Sequence, residues 1–523
     1  MADDLRVPEF ATWAAVSSRV RAAVPEAFAD GGPVNLVGGE WRAVGTPADQ
    51  VSAVDQSVLG STLKADSATA TEAVERAAAA HRDWAELDLD ERRRRVTAAI
   101  DAMAAVRDDL ALLLCWEIGK PWKAAGSDVD RALSGARWYV DAIEGMLGRD
   151  VDGHPCRRIP LEGPVSNIAS WNYPMSVLVH AELVQLLAGN AVIAKVPSQG
   201  GAWCLTVAHA LMAREGLPVT LIAGGGAELS DALIRSPEIG ALAFVGGRSN
   251  GGKVAGQLAD TGKRHMLEQE GLNTLGVWDF SDWESLGDLL GKGFEYAKQR
   301  CTAYPRFVVQ RELVDSFLAT YIPVVANIRF GHPLASTDGE LPALDFGPLI
   351  STAKARELDG SVQEALRHGA VPLFRGSTAS GTFLPGQDTS AYHAPVSMLA
   401  PPGVARLMHE EPFGPVDSIV VVDTEAELLA QMNASNGALV ATIASDDEDN
   451  AAKMADQLQA FKVGINRLRS RGDKEEAFGG YGASWKGAFV GGEYFVHAVT
   501  QGPPEERLYG NFPGYTRWPV GGA

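Results

Sequence analysis

From residue 68 to about 147, apolar residues recur at three- and four-residue spacing through alanine-, arginine- and aspartate-rich sequence, as in Ala73-Val-Glu-Arg-Ala and Ala102-Met-Ala-Ala-Val. That period predicts several amphipathic helices. The pattern then changes. Short apolar runs at 165–170, 191–195, 219–223 and 241–245 alternate with helix-length stretches at 178–187, 202–215 and 228–235. Strands separated by helices predict a parallel sheet with right-handed crossovers. Past Gly291 a second αβ pattern begins, with a strand at 306–309, a helix at 312–327 and a long stretch ending in the apolar run 418–423. Near the C-terminus the alternation at 494–500 reads as a strand. The Pro-, Gly- and aromatic-rich end at 508–523 is not expected to form regular structure alone.

A chain of 523 residues exceeds what one hydrophobic core supports, so two or three domains are expected. The formal charge of -20 and a pI near 5.0 repel nucleic acid and anionic membranes alike. An anionic ligand would need a local basic pocket. The cysteines, Cys115, Cys156, Cys204 and Cys301, form no CxxC pair and no metal-ligand pattern, which points to a reducing compartment and no metal site. The start, Met-Ala-Asp-Asp-Leu-Arg, lacks the basic and apolar runs of a targeting segment, and no stretch approaches the ~20 apolar residues of a membrane span. A cytoplasmic location is expected.

Two features carry candidate chemistry. Cys301 sits in Lys298-Gln-Arg-Cys-Thr-Ala-Tyr-Pro-Arg306, where Arg300 or Arg306 would lower the thiol pKa and favour a reactive thiolate. A glycine-rich turn, Gly246 to Gly252, follows the run 241–245 and precedes a helix, and Gly224-Gly-Gly226 follows the run before it. A strand, a glycine turn and a helix N-terminus make an anion cradle. Neither turn is a GxGxxG fingerprint.

Seven spaced segments together resemble the aldehyde dehydrogenase superfamily from about residue 52 to 501: Ser170-Trp-Asn-Tyr-Pro174, Gly189-Asn-Ala-Val-Ile-Ala-Lys195, Phe244-Val-Gly246, Leu267-Glu268, Gln299-Arg-Cys-Thr302, Glu411-Pro-Phe-Gly-Pro415 and Phe478-Gly-Gly480. The resemblance implies an α/β fold with a Rossmann-like NAD(P)-binding domain (1–150 and 163–290), a catalytic domain (291–490), and oligomerisation strands with a tail (151–162 and 491–523). It makes Cys301 the nucleophile, Glu268 the general base and Asn172, with the Cys301 N–H, the oxyanion hole. Trp171, Lys195, Gly226, Gly246, Glu411 and Phe413 become cofactor contacts. The stretch 494–500 would extend a neighbouring subunit's sheet beside a partner strand at 154–161, giving a homodimer or homotetramer.

Relatives that favour NAD commonly carry Glu at the position of Ser198. Ser198, Lys195 and Arg248 could instead hold the 2′-phosphate of NADP by charge-assisted bonds, so NADP is the preferred cofactor and NAD the alternative. Tyr173, Arg300 and Arg471 resemble positions in the non-phosphorylating glyceraldehyde-3-phosphate dehydrogenase branch, which implies an anionic aldehyde. His180 falls where relatives line the substrate tunnel. Glu270, Lys298 and Gly247 depart from the family, and Glu270 lies close enough to Glu268 to repel its charge. Two other readings stay open: thioester transfer to coenzyme A, which would not need Glu268, and a binding or structural homologue whose site has drifted.

Overall fold

The computed structural model describes residues 5–151, 154–399, 401, 403–435, 437–472, 474–502 and 506. The tail 508–523 lies outside them. After an N-terminal helix, Trp13–Ala23, and short strands between Phe28 and Lys64, an amphipathic helical layer follows, with helices at Ser67–Ala85, Leu89–Ala105, Arg107–Ile118 and Trp122–Leu147. Asp66 and Asp88 cap the first two by accepting from the N–H groups of Thr69 and Glu91. Leu113, Ala136 and Tyr139 are among the fully buried residues that join this layer to the main core.

Among the described residues the chain forms an eight-stranded sheet. Five of its strands run parallel: Val165–Ile168, Val192–Lys195, Val219–Ile222, Ala241–Val245 and Arg264–Glu268. The runs predicted at 165–170, 191–195, 219–223 and 241–245 are thus strands, the first three with ends trimmed by a residue or two. A seven-stranded sheet follows, whose central strands Val416–Val422, Arg306–Gln310, Thr274–Val277 and Val440–Ala444 are parallel. The class is α/β with parallel sheets, as expected.

Three local expectations are corrected. Residues 494–500 are not a strand, because Gly492–Ala498 is helical and packs Phe495 against Tyr139 and His180. Short apolar runs do not distinguish the two states by period. Only Thr500–Gln501 is extended, and it pairs with Ile159–Pro160 of the same chain. The chain changes sheets between Glu268 and Thr274, not at 290, because Thr274–Val277 already pairs with Arg306–Gln310. Finally, Trp485–Gly487, placed in the second domain from sequence, returns to the first sheet beside Arg264–Glu268.

Candidate active site

Strand Val165–Ile168 lies between Val192–Lys195 and Ala241–Val245, so successive strands are added first on one side of it and then on the other. Loops leaving the strand ends diverge at such a reversal and leave a crevice. The loop carrying Trp171, Asn172 and Tyr173 and the turn at Gly246 leave neighbouring strands on one wall, and Cys301, Glu411 and Phe413 come from the second sheet. Together they line a cavity of about 930 Å³.

The wall bearing the thiol is locally unusual. Tyr296, Ala297 and Lys298 all have left-handed backbones, with φ of 58°, 52° and 57°, a conformation that non-glycine residues adopt at a cost. Side chains and backbone hold them there. The Tyr296 N–H donates to the Asp345 carbonyl at 2.9 Å, and the fully buried Lys298 ammonium meets Asp417 at 2.5 Å and donates to the Tyr304 carbonyl at 3.0 Å. Gln299 donates to the Pro348 carbonyl and accepts from the Ile350 N–H. Asn273 donates to the carbonyls of Cys301 and Ala303 at 2.8 and 2.7 Å while accepting from Leu439 and Val440. A Cβ on Gly271 would meet the Cys301 carbonyl oxygen at 2.7 Å, so this approach needs glycine. Half-buried Cys301 is thus presented to the cavity, and its N–H has no hydrogen-bond partner among the described residues.

Glu268 ends its strand 1 % exposed. Its Oε2 accepts from Arg471 Nη1 at 2.7 Å, while its Oε1 is buried and unpaired. The carboxylate lies near enough to the Cys301 thiol for its charge to act on it. A second cavity of about 30 Å³, lined by Glu268, Arg471, Val177 and Phe495 among others, adjoins the pair. Asn172, 4 % exposed, donates through Nδ2 to the Gln299 carbonyl at 2.9 Å and accepts from Ser170.

The electrostatics reverse one expectation. Burial, followed by the Glu268 charge, pushes the Cys301 thiol well above its ordinary pKa, and Arg471 acts in the opposite direction. Arg300 does not serve the thiol: its Nη2 donates to the carbonyls of Lys292 and Gly293. Arg306 is buried and donates to those of Met408 and Gln431. Lys298 is taken by Asp417. His180 lines neither cavity but packs against Gly135, Tyr139 and Phe495. Burial takes its pKa down to about 3, so it is neutral near pH 7.

The first wall suits a dinucleotide. Gly246 and Gly247 lead into the helix Arg248–Leu258, and nothing lies within 4 Å of a Cβ built on Gly247. Glu411 is 9 % exposed with Oε1 buried and unpaired. Phe413 and Trp171 meet edge to face, 5.8 Å between centroids. Lys195 ends its strand, donates to the Val196 carbonyl at 3.0 Å, and has its pKa brought down to about 8 by burial. Ser198 is exposed beyond it, and exposed Gly226 starts a short helix outside the main cavity. An open glycine turn and an orphaned buried carboxylate are what a ligand with phosphate and hydroxyl groups would complete.

Sequence reasoning missed Gln269, whose buried Nε2 is unpaired on the cavity wall, and the Lys354–Glu357 pair, 3.0 Å apart at the cavity. Three-residue spacing on an amphipathic helix reads as an ordinary solvated pair, so Lys354 gave no signal. It also missed Asn273, whose role depends on four backbone groups distant in sequence.

A cysteine with a buried carboxylate close by, at a crevice between two α/β units with room for a dinucleotide, fits a dinucleotide-dependent oxidoreductase. The chain belongs to the aldehyde dehydrogenase family, whose model matches residues 41–502, and is an NAD(P)-dependent oxidoreductase. Glutarate-semialdehyde dehydrogenase of Pseudomonas aeruginosa is 27 % identical over 454 residues, 84 % of this chain and 89 % of that one. NADP-dependent glyceraldehyde-3-phosphate dehydrogenase of Bacillus halodurans, solved with NADP, superposes with TM-score 0.80 at 26 % identity over 90 % of this chain and 97 % of that one. Betaine aldehyde dehydrogenase of Staphylococcus aureus, solved with NAD, shares the fold at TM-score 0.81 and 24 % identity, over 90 % and 94 %. Among the described residues no helix is long and apolar enough to cross a membrane.

Proposed function

We propose that the chain oxidises an aldehyde to a carboxylic acid through a covalent intermediate on Cys301, with Glu268 moving the protons. The supporting observation is that Cys301 lines the main cavity while the buried Glu268 carboxylate, on the small adjoining cavity, is near enough for its charge to act on the thiol. With its pKa raised, the thiol keeps its proton at rest, and Glu268 is placed to take it as Sγ bonds to the aldehyde carbon. The developing oxyanion accepts from the Cys301 N–H and from the second Nδ2 hydrogen of Asn172; one such donor contributes about 3–4 kcal/mol in comparable sites. The nicotinamide, when bound, supplies the hydride acceptor. Glu268 releases the thiol proton to solvent, and water then cleaves the thioester left on Cys301 and gives its proton to Glu268, which returns it to the departing thiolate. The 30 Å³ cavity beside that carboxylate has room for one or two water molecules. Acid leaves and the thiol is restored.

Gly246 and Arg248 would receive the pyrophosphate, Glu411 a ribose hydroxyl, and Trp171 and Phe413 would flank the cavity around the ring. Lys195 with Ser198 favours NADP, since no carboxylate stands at residue 198 to repel a 2′-phosphate. Glu268, buried near enough to act on the thiol, argues for water rather than coenzyme A as the acyl acceptor. An anionic aldehyde is favoured by Arg471, a guanidinium beside Glu268 and Cys301, and by two relatives named for aldehydes that carry an acidic group; Arg300, turned away, takes no part.

NADP and NAD reduction across paired anionic and neutral aldehydes, in wild type and Cys301→Ala, tests the reading. Expected are loss of at least about 10³-fold in the variant and higher kcat/KM for anionic aldehydes with NADP. Equal rates in the two proteins would overturn the thiol mechanism, and a neutral preference would remove the anionic substrate alone.

A further inference from the structure

Across the cavity from Cys301, one guanidinium is held poorly by many possible partners. Arg248 is the first residue of its helix, directly after Gly246 and Gly247. Its Nε lies 3.3 Å from Glu270 Oε1, and its Nη1 reaches the His409 carbonyl at 3.4 Å. Neither contact satisfies it, because Nε and Nη2 are buried without a hydrogen-bond partner. A guanidinium offers five donors and forms strong bonds as a bidentate fork, so this arrangement leaves much of its capacity unused.

Glu270 needs that cation more than the cation needs Glu270. It comes from the loop between the two sheets, partly buried, and shares the cavity with Glu410 and Glu411 from the opposite loop. Burial and then the Glu410 charge raise its pKa, while Arg248, then the Glu411 backbone N–H and last Lys354, lower it. Lys354 is itself paired with Glu357. Arg248 is therefore the principal charge holding Glu270 ionised.

We propose that Arg248 passes from Glu270 to the pyrophosphate of an incoming dinucleotide, and that binding is thereby coupled to uptake of one proton from solvent by Glu270. This rests on reading the cleft as the dinucleotide site. The pyrophosphate fits the helix N-terminus and its open glycine turn, and offers the guanidinium the paired oxygens that Glu270 does not align. The unpaired buried Oε1 of Glu411, on the same cavity, is a second sign that polar groups here await a ligand. Once Arg248 is engaged, Glu270 faces Glu410 and a new dianion, with only the Glu411 backbone N–H and Lys354 left to favour its ionised form, and the neutral acid is favoured. The Glu270 carboxylate gains the proton as the guanidinium leaves it, with no bond to carbon changed.

The sign follows from linkage. A group whose pKa is higher in the complex than in the free protein draws protons in on binding, so affinity falls as pH rises between the two values. Arg248 and Glu270, the latter a departure from the family pattern, thus act as one device that makes cofactor retention depend on pH.

Calorimetric binding of NADH, whose pyrophosphate does not titrate near neutrality, tests this from pH 6 to 9 in PIPES and in Tris, buffers that release heat differently on losing a proton. Wild type is expected to take up about 0.5–1 proton per NADH near the steepest part of the profile, and its affinity to fall by up to about tenfold per pH unit there. Glu270→Gln should abolish most of that uptake and bind NADH about tenfold more tightly at the upper end of the range. Arg248→Met should bind more weakly and also lose the uptake, since Glu270 then has no cation to surrender. Uptake unchanged in Glu270→Gln, or absent from wild type with NADH bound, overturns the coupling. Failure of wild type to bind either NADH or NADPH would instead overturn the reading of the cleft.

Discussion

On the dinucleotide wall of the cleft, Lys195, Gly246 and the loop of Trp171 follow the ends of parallel strands, where sheet topology alone brings them together. On the thiol wall, Cys301 rides on a turn with three left-handed residues, placed by buried side chains reaching in from elsewhere. The ion pairs differ in the same sense. Lys298–Asp417 is closed, at 2.5 Å with both side chains at most 1 % exposed and with Tyr321 donating to the second Asp417 oxygen at 2.7 Å. Arg248–Glu270 is open, at 3.3 Å with 29 % and 19 % exposure. Under the proposed mechanism, a nucleophile that must meet a carbonyl carbon within a few tenths of an ångström is fixed by closed pairs, whereas a surface that would admit and release a cofactor keeps its charges available.

The sharpest way to break this comparison is to open the closed pair. Lys298→Met leaves Asp417 buried without its cation, and removing one partner of such a pair costs about 3–5 kcal/mol. The loss should appear as a lower denaturant midpoint for the transition that exposes Cys301 to alkylation. Adding Asp417→Asn should restore a large part of it, because no uncompensated charge then remains. A change below about 1 kcal/mol in the single variant would mean that the thiol wall is held no more tightly than an exposed pair holds a surface.

The same contrast governs what could be read from sequence. The parallel strands and their glycine turn were legible because a short apolar run, a turn and a helix are local patterns with a characteristic period. Cys301, Glu268 and Asn172 were legible as family motifs. Their electrical setting was not. Lys298, Arg300 and Arg306 surround the cysteine in sequence, yet all three turn to Asp417 or to backbone carbonyls, because a left-handed turn sends neighbouring side chains in directions that spacing cannot reveal. Arg471, some 170 positions away, is the arginine that reaches the pair. The stretch 494–500 failed for the opposite reason: its local pattern suited two states, and packing on Tyr139 and His180 chose the helix.

On the dinucleotide wall, the comparison is sharpened by a charge kept there at a cost. Burial holds the Lys195 pKa near 8 against an ordinary 10.5, so between those values the unfolded chain binds more protons than the folded one, and stability rises with pH. Below about pH 8 the penalty is fully present. Lys195→Met is therefore expected to be more stable than wild type by about 1–3 kcal/mol at pH 7, the gap closing as pH approaches 10.5. NADPH should bind the variant more weakly. Chemical unfolding at pH 7 and pH 10, beside NADPH titration, checks both; a gap that does not depend on pH would place the gain in packing rather than in the charge.

The smallest expected effect concerns which dinucleotide this wall prefers. Ser198 is exposed three residues beyond Lys195, so a longer side chain there is accommodated without disturbing the core. A carboxylate at that point accepts from a ribose 2′-hydroxyl and repels a 2′-phosphate, whereas serine leaves Lys195 free to attract the phosphate. Ser198→Glu should accordingly lower the ratio of NADPH to NADH affinity by about tenfold, or about 1.4 kcal/mol, with NADH binding little changed. The effect should shrink with added salt, because the group is exposed and its field is screened. If the ratio does not move while Lys195→Met still weakens NADPH, Lys195 binds without regard to the 2′ position, and discrimination between the two dinucleotides lies elsewhere.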